Sequence, residues 1–143
     1  MGTAEGEIRA IIDDRVAAIG EKGAARAMRA ISEDVVAFEL VPPLRLPPGE
    51  ARDEAGFAAW LAGYERIAVE IRDLAIEADE RIGFAHGLHH LTGVRIDGTA
   101  MDLWLRSTLC FRREADGWKI VHAHSSVPFH PGPELKAAVD LKP

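Results

Sequence analysis

The chain of 143 residues is 48% hydrophobic and 28% charged, a balance that excludes disordered, collagen-like and coiled-coil proteins and predicts a single domain over residues 1–143. Its net charge is −6 and its basic residues are scattered, so a nucleic-acid partner is not expected. The one cysteine, Cys110, rules out an intramolecular disulfide and a cysteine-rich zinc site, and the charged amino terminus has no signal-like or membrane-spanning apolar run; a cytoplasmic location and no membrane partner are expected.

From Ala4 to Glu21, Ile8, Ile11, Ile12, Val16 and Ile19 recur three or four apart while Glu5, Glu7, Arg9, Asp13 and Asp14 fall opposite, which predicts an amphipathic helix. Thr3 is its N-cap candidate, and Gly20 with Gly23 punctuates its end. A short second helix is expected through Ala24, Ala27, Met28 and Ile31. Val35 to Leu40, rich in β-branched and aromatic residues, reads as the first strand, with Glu39 as its one charge. The segment VPPLRLPPG from Val41 to Gly49 holds four prolines and no periodicity, so it reads as a stiff loop forming a rim or lid.

Asp53 then caps a helix whose apolar stripe is Phe57, Trp60, Leu61 and Tyr64. Beyond it the period changes to two. Strands are expected over 67–78, 82–96, 100–113 and 118–127, with Asp97-Gly98 and Asp116-Gly117 as hairpin turns. This order predicts an α+β fold in which helices cover one face of a strongly curved antiparallel sheet.

The order of elements, with ELVPPL at Glu39 to Leu44, FAHGLHHLTG at Phe84 to Gly93, the RIDG turn, WLRSTLCFRR at Trp104 to Arg113 and GWKIVHAHSSVPF at Gly117 to Phe129, resembles the SnoaL-like branch of the nuclear transport factor 2-like superfamily. That superfamily also contains ketosteroid isomerase and polyketide cyclases. The resemblance covers nearly the whole chain and implies a cone-shaped sheet, cystatin-like in outline, with three helices of the amino-terminal half on its concave face. It implies function only loosely, because the same fold serves isomerases, cyclases, dehydratases, binders and oligomerisation domains. Two departures stand out. Ala123 lies between His122 and His124, where relatives often carry an acid, and the first helix lacks the tyrosine that ketosteroid isomerase uses to stabilise its oxyanion.

Alternate residues of a curled sheet line its inside, so each strand offers two sets. On the last strand Val121, Ala123 and Ser125 are smaller and more apolar than His122, His124 and Ser126, and their register resembles the cavity-lining positions of ketosteroid isomerase. The histidines are therefore expected to face outward. On the preceding strand Asp102, Trp104, Arg106, Thr108 and Cys110 are expected in the same register as Ser125. Arg106 would then offer a fork of donors to a carboxylate or enolate, aided by Thr108 and Ser125. Glu39, close to where ketosteroid isomerase places its base, is the candidate for proton abstraction next to a carbonyl.

His86 and His90 share a register on the third strand and are candidates for proton transfer, with His89 on the other face. Trp60, Tyr64, Asp102 and Trp104 complete the expected pocket wall. A His-x-His metal site at His122 and His124, with His86, His89 or His130 as a third ligand, lacks an acidic ligand at a suitable offset, so no metal and no cofactor is expected. Cys110 has no activating motif, and neither a serine-hydrolase elbow nor a phosphate-cradling glycine loop occurs.

Three functions remain open at this point. One is a cofactor-free isomerase, cyclase or dehydratase acting on a small, partly apolar carbonyl compound. Another is a module that binds a small acid without turning it over, and the third is a dimerisation domain. A homodimer through the outer sheet face is expected in each case.

Overall fold

The computed structural model describes residues 2–143. Helix α1 spans Ala4–Gly20 and α2 Ala24–Ala27; strand β1 covers Ile31–Phe38; a 3₁₀ turn at Glu50–Arg52 leads into α3, Glu54–Ala62; β2 to β5 are Tyr64–Ala78, Ile82–Arg95, Ala100–Glu114 and Gly117–Ser126. The strands form one sheet in the order β1-β5-β4-β3-β2. Successive strands from β2 to β5 pair antiparallel, whereas β1 joins the far edge parallel to β5. The fold is thus the expected α+β cone, with an unclosed, mixed sheet.

Local signals explain the helix starts. The hydroxyl of Thr3 accepts a hydrogen bond from the Gly6 amide at 3.0 Å, and the Asp53 carboxylate accepts one from the Gly56 amide at 3.0 Å; each satisfies an amide that the first turn leaves free. Past α1, Lys22 adopts φ 60°, a left-handed conformation usually left to glycine, and its ammonium donates to the Tyr64 carbonyl at the start of β2.

Two boundaries differ from the sequence expectation. The strand expected from Val35 begins at Ile31, which shortens α2 to a single turn, because Ile31 packs against the main core and pairs with Ile120. Tyr64 opens β2 rather than closing α3, and it is buried there with Ala24, Leu61 and Ile67.

The main core lies between α1 and the sheet, where Ile8 and Ile12 pack on Ala85, Leu109, Phe111, Trp118 and Ile120. Phe111 is 1% exposed and Ile8 and Ile120 are 0% exposed, so they anchor α1 to the middle of the sheet. Close approach requires small residues on β3. A Cβ on Gly83 would stand 2.9 Å from Ile8 Cδ1, and one on Gly93 would stand 2.7 Å from the Arg66 carbonyl. These contacts identify the concave, helix-bearing face of the sheet.

Candidate functional site

Pairing across the sheet fixes what that concave face presents. Leu109 and Ala85 lie in the core beneath α1, and Leu109 pairs with Ala123, which in turn pairs with Ala37 of β1. By alternation the inner row of β4 continues through Ser107, Leu105 and Leu103, that of β3 through Gly87, His89 and Leu91, and that of β5 through Ser125. Inner Ser125 is therefore as expected, and its hydroxyl donates to that of Ser107 at 3.4 Å. His122 and His124 face outward, also as expected, where both rings meet Phe38 edge-on at 4.9 and 5.3 Å.

The expectation for β4 is corrected. Ser125 pairs with Ser107, not with an even-numbered neighbour, and Arg106 pairs with Ser126. The cause is a single extra residue: Phe111 pairs with Ile120 and Cys110 with His122, leaving Val121 as a bulge. An unbroken hairpin from the Asp116-Gly117 turn would have set Arg106 beside Ser125. One inserted residue reverses the parity, so Asp102, Trp104, Arg106 and Thr108 project from the outer face. His86 pairs with Thr108 and His90 with Trp104, so these histidines go with them.

The outer residues do gather, but away from Glu39. His86, Arg106 and Thr108 border an open groove of about 500 Å³, and His90, Asp102 and Trp104 border a second of about 280 Å³ beside Arg72 and the carboxy-terminal Lys142 and Pro143. In the second, His90 bonds Asp102 at 2.7 Å and stacks on Trp104 with ring centroids 4.2 Å apart, while the Arg72 guanidinium lies 5.4 Å from the Trp104 ring. Trp60 lies 43% exposed on α3, stacked on Phe57, and Tyr64 is a core residue whose hydroxyl is taken by Met101 Sδ at 3.6 Å.

On the inner face the structure brings together a set that includes two residues the sequence analysis did not select. Arg15 sits on the core-facing stripe of α1, seven residues after Ile8 and three after Ile12, and its Nε donates to the Ala27 carbonyl at 3.1 Å. A charge at that place in an otherwise apolar stripe was the available signal. His89 points inward from β3, opposite Leu105 and Ile71. Glu39 follows directly on β1 at the start of the proline loop.

Electrostatics ties these three together. Glu39 is an exposed residue, yet the protein packed around its carboxyl raises it above the usual range, with Arg15 and His124 pulling the other way. Burial, and then the neighbouring Arg15, lowers the His89 imidazole to about 4, so it is neutral at physiological pH. Burial lowers the Arg15 guanidinium from its usual value, partly offset by Glu39. The concave face thus carries a fixed cation, a neutral imidazole, two hydroxyls and, at its rim, a carboxylate raised above its ordinary range. Among the described residues no group of three or more histidine, cysteine or acidic side chains is placed to hold a metal. No helix among them is long and apolar enough to cross a membrane.

The fold and this arrangement define an α+β cone of the nuclear transport factor 2-like class. The SnoaL-like domain model matches residues 8–130, and the chain belongs to that family. Among solved structures, it is similar to a nuclear transport factor 2-like protein of unknown function from Pseudomonas putida, at 26% identity and a TM-score of 0.84 over 98% of this chain and 96% of that one. It also resembles a candidate dehydratase from Streptomyces avermitilis, at 15% identity and a TM-score of 0.73 over 86% and 95% of the two chains. A candidate ketosteroid isomerase from Shewanella frigidimarina follows at 22% identity and 0.62 over 87% and 95%. These likenesses establish the fold. No curated protein matches the sequence.

Proposed function

We propose that the protein is a cofactor-free enzyme that binds a small, partly apolar carbonyl compound on the concave face and abstracts a proton next to the carbonyl, in an isomerase, cyclase or dehydratase reaction. The observation that carries this reading is the place of Glu39, directly after β1 and two residues beyond inward-facing Ala37 at the rim of the concave face, where its carboxyl is raised above the ordinary range. A carboxylate raised above its ordinary range is better matched to such a proton transfer than one at its ordinary value. Leu91, Leu103 and Leu105 offer half-buried apolar wall on the same face. The Ser107 and Ser125 hydroxyls and the neutral His89 imidazole supply donors for an enolate oxygen as charge moves onto it.

Exchange of α-protons in a carbonyl ligand, followed by NMR in deuterated buffer, tests the reading. Glu39→Gln should slow exchange by about 10²- to 10⁴-fold, the usual contribution of a general base. Equal rates in the variant and the parent would exclude Glu39 as the base. Stoichiometric binding with no exchange by either protein would favour the alternative, a binding module.

The protein is also proposed to form a homodimer through the outer sheet face. The stacked His90 and Trp104 and the exposed Ile82 and Phe84 there supply aromatic and apolar surface that association would cover. A Trp104→Glu variant that sediments as the parent does would count against that contact.

A further inference from the structure

Arg15 is an inner-face charge that proton abstraction by Glu39 does not use, and unlike Arg113, which pairs with Glu7 at 2.9 Å, it touches no carboxylate among the described residues. Its Nε is committed to Ala27, which fixes the plane of the guanidinium, but its two Nη groups have no hydrogen-bond or ion-pair partner among the described residues. No fully buried side-chain nitrogen or oxygen among those residues lacks a partner, so these free donors keep contact with solvent. Arg15 and Glu39 sense each other's charge but form no ion pair, although an arginine in a partly dehydrated setting gains most from direct contact with a carboxylate. His89 lies close enough to Arg15 to feel its charge as well. The cation is thus held rigidly, left unneutralised and flanked by a neutral hydrogen-bonding ring.

We infer that Arg15 is an anchor for the carboxylate of a small organic acid, taken as a two-pronged pair by its Nη groups with a hydrogen bond from His89. The carbonyl compound of the proposed reaction is then itself an oxo acid, held by its carboxylate with the acidic C–H turned toward Glu39. This inference rests on the concave-face reading of the site. It assigns the substrate class, which Glu39 alone leaves open.

Charge bookkeeping gives the inference a signature that a merely structural arginine would lack. Glu39 competes with an incoming carboxylate for the field of Arg15, so removing the Glu39 charge should strengthen acid binding even as it removes the base. Calorimetric titration with benzoate, and with benzamide as its neutral counterpart, tests this.

The parent should bind benzoate at least 10-fold more tightly than benzamide, and Arg15→Gln should weaken benzoate by about 10- to 100-fold, the worth of a charge-assisted pair. Arg15→Lys should recover part of that loss, and Glu39→Gln should bind benzoate more tightly than the parent. Equal affinities for benzoate and benzamide, or benzoate binding unchanged in Arg15→Gln, would overturn the inference. So would loss of benzoate binding in Arg106→Gln, which would move the acid site to the outer groove. Should Arg15→Gln fail to fold, the acid-to-amide ratio and the direction of the Glu39→Gln effect decide on folded protein. Unaltered α-proton exchange in Glu39→Gln, with the benzoate results as expected, would remove the proposed reaction and leave the acid site standing.

Discussion

The two faces of β3 use one strand for opposite purposes. Inward, its side chains are Gly83, Ala85, Gly87, His89, Leu91 and Gly93; outward they are Phe84, His86, Leu88, His90 and Thr92. The inner row is mostly small because α1 and β2 press on it: a Cβ at Gly83 or Gly93 would meet neighbouring atoms at under 3.0 Å. The outer row carries rings that stack on the surface, Phe84 on His86 at 6.1 Å and His90 on Trp104 at 4.2 Å. Abundant polar and aromatic chemistry therefore marks the face with space around it, whereas the inner face spends its few large residues on packing and keeps only His89 as a polar group on this strand. The proposed function thus places its chemistry on the face where burial perturbs charges, not on the face richer in polar and aromatic side chains.

Substitutions on the two faces should separate accordingly. The largest contrast is in turnover, where Glu39→Gln should abolish most α-proton exchange while Arg106→Gln changes it by about 2-fold or less, since Arg106 meets only Ser126 across the outer face. Exchange lost equally in both variants would erase the distinction between the faces.

Next is stability. Phe111→Ala should destabilise by about 3–5 kcal/mol in urea unfolding, through lost burial and the cavity left under α1. Trp104→Ala, outward and partly exposed, should cost well under half of that in the monomer.

The pH dependence of stability sharpens the comparison on the inner side. His89 has its folded value lowered from 6.5 to about 4, so on acidification the unfolded chain takes up this proton first. The stability it contributes is complete above pH 6.5 and is lost as the pH falls from 6.5 toward 4. Its size is on the order of 2–3 kcal/mol. His89→Gln should flatten the slope of unfolding free energy across that window. The smallest effect belongs to the outer hydrogen bond of His90 with Asp102, whose carboxylate is 60% exposed. Asp102→Asn should shift thermal unfolding by no more than about 1 kcal/mol equivalent, and less in high salt.

Much of this protein was determined by local sequence. Periodicity of three to four and of two placed the helices and the long strands, Thr3 and Asp53 marked two helix starts, and the family motifs gave the cone. Glu39 and Ser125 were legible as inner-face candidates because each stands next to an unambiguous landmark, the proline loop and the small inner row of β5. What only the tertiary structure decided was parity across β4 and β5, and with it the placement of Arg106, Thr108, Asp102, Trp104, His86 and His90. Alternation offers two equally regular sets on every strand, and a bulge at Val121, with no glycine or proline to announce it, exchanges one set for the other along the rest of the pairing. Arg15 was hidden for a related reason. A helical stripe identifies the residues that face a core, but whether a charge among them reaches past the packed side chains to a free surface depends on where the helix crosses the sheet.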